Sequence, residues 1–537
     1  VFLEESEVDR TGVPMKFTRM VWLATTVAAI TAFGQSGPEQ MTAGAAARFL
    51  DQATWGPTPA SIAQLQQMGI NNWLNAQFAL NTSDIPDQPQ LDSTTGMPNR
   101  DLHPVQAAFF QNTVTGQDQL RQRVAFALSQ MWVVSFTGVP VAYAFPPYWR
   151  IFRDDAFGNY RNLIHDVTLS PAMGRYLNVA NNDKANPAKN TSANENYARE
   201  LMQLFTLGLT ELNPDGTPVL DSNKNPVPTY NQAVVTNMAK VLTGWTYPTA
   251  PGATAKKNNP EYFFGQMFAV ESNHDTTSKA IFGNVTIPAG QTAEQDLDSL
   301  LDALMAQPSM APFVSQQLIQ HLVTSNPSPQ YIARISSVFE NDGNGVKGNL
   351  QAVIAAILTD PEARAGDNAT ATLTNATFGH LREPVLFLPN LLRGLNATLT
   401  ANSAIYSDSA DLGENLFNAP SVFSYFSPQY RIAGGLLGPE FQIYTTQTAA
   451  DRADMVNAIL YGAIDKGTTV NLTPFVQQAG NTTSLLNSIS AVFLHGSMSP
   501  ALEQAATDAV DAASTPTAKT QAALYVVLTS DEYQIIH

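Results

Sequence analysis

The sequence predicts an all-α protein, a multi-helix globular body with long loops and at most small β-hairpins. Three observations carry this: apolar residues recur at three- and four-residue spacing along most of the chain, start and stop signals bracket those runs, and strand signals are few and local.

The grammar is plainest at Thr58-Pro59, an N-cap with proline at the first helical position. Ile62, Leu65 and Met68 follow on one face, and Gly69 is the stop. The same pattern predicts helices over 117–135, 159–169, 194–207, 231–243, 293–306, 313–324, 331–339, 350–358, 446–461, 484–493 and 517–528. Residues 212–230 (LNPDGTPVLDSNKNPVPTY) hold turn chemistry that predicts a hairpin or an ordered loop. Residues 246–290 and 404–442 form two further inserted loops; long loops in a compact helical body are commonly functional or packed against it. With no repeat of fixed period and no linker, residues 35–537 read as a single domain.

Ahead of that domain, Met15, Lys16 and Arg19 precede the apolar run MVWLATTVAAITAF, and Ala32-Phe33-Gly34 supplies small residues for cleavage before Gln35. Residues 15–34 therefore read as a signal peptide and residues 1–14 as sequence upstream of the true start. The expected destination is the periplasm or the medium, with no stable membrane insertion after signal removal.

Composition narrows the chemistry. Across 537 residues, 44% are hydrophobic and 14% charged, enough for a large core. A net charge of −17, with no basic stripe, argues against nucleic acid as a partner. The absence of cysteine excludes disulfides, thiolate metal sites and cysteine nucleophiles. There is no G-x-S-x-G elbow, no P-loop and no H-E-x-x-H. Gly343-Asn344-Gly345-Val346-Lys347-Gly348 has dinucleotide-fingerprint spacing but follows a predicted helix rather than a strand. Read as a calcium loop, it has Gln351 where a bidentate glutamate is needed. A glycine-rich turn between helices is the better reading.

The run 194–208, NENYARELMQLFTLG, closely resembles the signature of the DUF1800 family. Other pieces resemble the same family in the same order: Ala47-Arg48-Phe49-Leu50 with Thr54-Trp55-Gly56-Pro57; LRQRVAFALSQ over 120–130; Leu242-Thr243-Gly244-Trp245; His274-Asp275 with Lys279; and LYVVLTSDEY over 524–533. The resemblance implies an exported bacterial protein, often encoded beside an exported sulfatase-like partner, and it brings no activity with it. Arg382-Glu383-Pro384 departs from the family, where lysine is commoner at the first position, so no role is carried over to Arg382.

At about 100° per residue, Tyr197, Leu201, Leu204, Phe205 and Gly208 share the core face of the signature helix. Asn196, Glu200 and Gln203 form a flank, and Glu195 and Arg199 a surface ion pair one turn apart. In the helix over 117–135, Arg121 lies in an apolar face, so it is expected to be buried and to need a carboxylate or several carbonyls; Glu200 is the expected partner. These ties are either structural or the lining of a polar pocket with Asn196, Tyr197, His274 and Asp275. His165-Asp166 sits within a helix and reads as structural.

Two functions fit. The first is an exported hydrolase or lyase with Glu200, His274 and Asp275 as catalytic candidates and Arg121, Asn196, Tyr197, Trp245 and Lys279 as binding candidates. The second is a non-catalytic binding or assembly protein working with an exported partner. Neither a metal nor a cofactor is assigned by the sequence.

Overall fold

Helices form where the sequence supplies caps. In the computed structural model, which describes residues 41–537 apart from 284, 368–376 and 463, Thr58 and Ser61 close a capping box on helix Pro59–Met68, and Gly69 ends it at φ 74°. The expected helices are found as Gln119–Met131, Tyr160–Thr168, Gln232–Val241, Ala293–Met305, Met310–Leu322, Pro329–Glu340, Leu350–Thr359, Thr446–Tyr461, Thr482–Phe493 and Pro516–Leu528. The sheets among the described residues are two-stranded and short, joining for example Trp245–Thr246 to Phe268–Ala269 and His380–Leu381 to Ile535–Ile536. The chain is thus predominantly all-α, and residues 41–537 form one compact unit. No described helix is long and apolar enough to cross a membrane. Residues 1–14 and 15–34, read from the sequence as an upstream segment and an expected signal peptide, lie outside the described residues.

Helices also form where periodicity gives no signal. In Pro384–Gly394 every residue is buried and Pro389 lies inside the helix, so the segment has no polar face for a pattern to reveal. Phe145–Asp155, over which the sequence predicts no element, carries Pro146 and Pro147 in its first turn, where proline is tolerated. The signature run departs from an ideal helix: Asn196–Glu200 is α-helical, and Leu201–Thr206 winds as a wider π-turn. Its buried face is accordingly Tyr197, Ala198, Leu201, Met202, Phe205 and Thr206, with Leu204 only partly covered, instead of the face that a constant 100° step gives.

Residues 212–230 fold as the expected hairpin, with bridges Leu212–Pro218 and Leu220–Pro226. In the glycine-rich turn, Asn341 Oδ1 accepts from the amides of Gly343 and Gly345, and Asp342 Oδ1 from those of Asn344 and Val346. These side chains close their own turn between two helices.

The helix Gln119–Met131 runs through the core with every residue but Ser129 buried. Its cations must therefore be matched inside. Arg121 is, but not by Glu200: its guanidinium donates to the carbonyls of Leu80 (2.6 Å), Arg153 (2.9 Å) and Phe78 (3.1 Å) and stacks on Phe157 at 4.6 Å. Carbonyls at helix ends meet a guanidinium fork without bringing in a second charge, so the expected Arg121–Glu200 contact is replaced by a purely structural tie.

A second set of buried ionic groups joins the two ends of the described chain. Asp51 receives both arms of Arg382 (2.7 and 2.9 Å), the Asn390 amide (2.7 Å) and His495 Nε2 (3.0 Å), while Tyr533 donates to Asn390 at 2.9 Å and lies under Arg382. Burial alone would raise the Asp51 pKa; Arg382 and His495 outweigh it and hold the carboxyl well below the usual carboxylate range.

Candidate functional site

The signature helix begins at a groove, and asparagine builds it. Asn178, Asn181 and Asn190 take left-handed backbone, at φ 63°, 59° and 52°, which asparagine tolerates better than most residues. Asn182 Oδ1 accepts the Asn194 amide at 2.8 Å, and Asn186 and Thr191 exchange backbone bonds of 3.0 and 3.2 Å. The result is an open, polar groove of about 510 Å³, lined by Asn178, Asn182, Asn186, Asn194, Asp183 and Asn273 among others. Asn273 is 2% exposed; its Nδ2 donates to the Lys257 carbonyl, while its Oδ1, also buried, has no partner.

The Leu242-Thr243-Gly244-Trp245 segment carries this groove. The Gly244 amide donates to the Asn182 carbonyl (2.9 Å), and the Trp245 carbonyl accepts from Asn181 (2.7 Å). Gly244 adopts φ 93°, and a Cβ there would lie 2.9 Å from His274 Cβ. Gly244→Ala therefore adds a clash to a disfavoured backbone. The expected outcome is a loss of about 2 kcal/mol or more in denaturant unfolding, with weakened protection of the groove amides in hydrogen exchange.

Beneath the groove is a closed ionic tier. His274 is fully buried; its Nδ1 faces the Thr243 carbonyl at 2.9 Å and its Nε2 faces Asp296 at 3.0 Å. Lys279 Nζ reaches the same Asp296 oxygen at 2.6 Å and the Thr277 carbonyl at 2.8 Å. Both imidazole nitrogens face acceptors, and both members of the Lys279–Asp296 pair are out of solvent, so this tier positions the groove and does not meet a dissolved molecule. Asp275 points elsewhere: it caps its own turn through Thr277, and these bonds outweigh partial burial to lower its pKa.

The remaining candidates separate. Asn196 Nδ2 donates to Asn178 at the groove (3.2 Å). Tyr197 is buried with its hydroxyl on Thr168 (2.6 Å), and Trp245 is buried at 2% exposure. Glu195 and Arg199 make the expected surface pair at 3.4 Å. Glu200 lies one helical turn beyond Asn196, half-buried; burial raises its pKa above the usual carboxylate value against the pull of Arg199, and its Oε2 has no hydrogen-bond partner. The structure thus brings Asn196, Trp245, His274 and Lys279 to one region with Glu200 one turn beyond Asn196, and sets Arg121 apart in the helical core.

Two members of the site escape the sequence reading. Asp296 reads as an ordinary first-turn acid of Ala293–Met305, favourable at any helix start. The asparagine-rich stretch 178–196 carried a signal, since repeated asparagine outside helices marks left-handed backbone, but it matches no catalytic motif.

No described group of three or more histidines, aspartates or glutamates is arranged to hold a metal ion. The family model described as "Protein of unknown function (DUF1800)" matches residues 48–535, and the chain belongs to that family. The match begins in the helix that carries Asp51 and ends just after Tyr533, so it spans the ionic set joining the two ends as well as the groove. No curated protein and no solved structure matches the chain.

Proposed function

We propose that the protein is an exported binding protein whose groove, at the start of the signature helix, takes a neutral, hydroxyl-rich ligand of the carbohydrate class. The observation that carries this reading is the buried, unpartnered Oδ1 of Asn273 in a groove where six asparagines stand beside Asp183, Lys184, Lys189 and Lys257. An amide offers donor and acceptor together, as a hydroxyl does, so a row of them suits a polyol, and lysine and aspartate heads also hydrogen-bond hydroxyls. A sulfatase-like exported protein is the kind of partner such a protein would serve.

A glycan array probed with the full chain tests this. Binding should favour neutral over sulfated or carboxylated glycans and change little between low and high salt. Asn273→Ala should weaken it at least tenfold, while thermal stability falls by only a few degrees. Salt-sensitive binding confined to anionic glycans would overturn the reading.

One observation favours a second reading, hydrolysis or elimination with Glu200 as general acid or base. Its carboxyl is partly buried, its Oε2 has no partner, and burial raises its pKa above the usual carboxylate value, which suits it to hold and release a proton. Under that reading, Glu200→Gln abolishes turnover of a bound glycan while leaving its binding intact.

A further inference from the structure

We propose that residues 413–443 form a strap latched over the buried Arg123–Glu383 centre by carboxyl groups at both its ends, and that loss of one shared proton loosens it. The two ends of the segment meet: a Cβ on Gly413, at φ 98°, would lie 3.5 Å from Ile443 Cβ. Next to these ends stand Glu414 and Glu440, 0% and 6% exposed, both turned inward. Between them the segment crosses the body, with Phe417 against Phe145 and Trp149, its carbonyl accepting from Phe136, and Leu437 exchanging bonds with Asn326. Its outer part shows Phe423 and Tyr430 to solvent.

Glu383 is the group the ends grip. It lies at the start of Pro384–Gly394, is 3% exposed and accepts from Gln130 at 2.9 Å. Glu414 accepts from the Val385 amide at 2.8 Å, which sets it beside Glu383, and one oxygen of each carboxyl, Glu383 Oε2 and Glu414 Oε1, is buried without a partner, an arrangement that two neighbouring carboxyls keep by holding a proton between them. Burial, first, and then Glu440 raise the Glu383 pKa to about 7; burial and Glu383 raise that of Glu414 further.

The surrounding charges decide the sign. Arg123, from Gln119–Met131, faces Glu383, Glu414, Glu440 and Asp51, and Arg452, from Thr446–Tyr461, faces Glu414. Asp51 is matched by Arg382. His380 Nδ1 lies 3.5 Å from Glu440 without hydrogen-bond alignment; His321 gives its carbonyl to Arg123 and is held neutral, at about 3, first by burial and then by Arg123. Tyr425 stays protonated, its pKa raised by burial and by the two glutamates. With the proton shared, two negative charges on Glu383, Glu414 and Glu440 face two guanidiniums. Without it three do, and two of the three belong to the strap.

Hydrogen exchange on the full chain, corrected for the intrinsic pH dependence of exchange, tests this at about pH 5.5 and about pH 8. Peptides within 413–443 are expected to lose at least tenfold protection at the higher pH, while peptides from Gln119–Met131 hold theirs. Glu383→Gln, which keeps a partner for Glu414 without the charge, should remove that loss. Should that variant fail to fold, Glu440→Gln, which takes away one of the three charges, should move the loss to higher pH. Equal strap protection at both pH values, an equal loss in the core peptides, or an unchanged transition in the variant that folds would each overturn the proposal.

Discussion

Replacing Asp51 with alanine is expected to cost about 3–5 kcal/mol of folding stability, the range for breaking a buried pair and leaving its partner charged. Arg382 is 1% exposed and cannot shed its charge, so with Asp51 gone it keeps only a 3.3 Å bond to the Tyr533 carbonyl and its stacking on Tyr533. Asn390 and His495 lose their acceptor in the same step. Denaturant unfolding should show the loss as a lower midpoint. The pH dependence gives an independent sign. Asp51 is held below its ordinary 3.8, so its contribution is present above that value and is lost as pH falls below it. Glu383 is raised from 4.5 to about 7, so its contribution is full below 4.5 and is lost as pH rises to about 7; Asp155 and Asp408, also raised to about 7 chiefly by burial, act the same way. His321 and His537, lowered from 6.5 to about 3 and about 4 first by burial, act in the opposite sense to these raised acids and cost stability as pH falls below 6.5. Asp51→Asn should flatten the acid side of the stability curve while leaving the neutral side in place.

Removal of Asp296 should be about as damaging, again roughly 3–5 kcal/mol, because it leaves a fully buried Lys279 ammonium and His274 facing no carboxylate. Here the damage has an address. His274 packs on Gly244, whose amide bonds to Asn182, so the groove should loosen along with the tier beneath it. Asp296→Ala is expected to lower the unfolding midpoint and to abolish glycan binding together. Lys279→Met with Asp296→Leu, which removes both charges and fills the space, should restore much of the stability. A double variant as unstable as Asp296→Ala would show that the tier is held by shape and not by charge.

How far the sequence could be read follows from where each residue spends its side chain. Capped amphipathic helices such as Pro59–Met68 announce themselves because one face stays in water. Pro384–Gly394 does not, since burial on all sides erases the period. Arg121 could be placed inside from its apolar neighbours, but not assigned its carbonyl partners, which come from helix ends elsewhere in the chain. The NENYARE run was legible as the centre of a motif; that it turns into a π-turn after Glu200 was not, because no residue type encodes that geometry by itself. His274 and Lys279 stood out in sequence for the right region, yet their shared partner Asp296 lies in a helix whose start explains an acid equally well.

The most direct test of the central claim is a crystal structure of the chain soaked with a neutral oligosaccharide that it binds. The groove between Asn178 and Asn194 should hold the sugar, with a hydroxyl donating to Asn273 Oδ1 and no displacement of His274 or Asp296. A sugar bound elsewhere, with the asparagine groove empty at saturating concentration, would contradict the account.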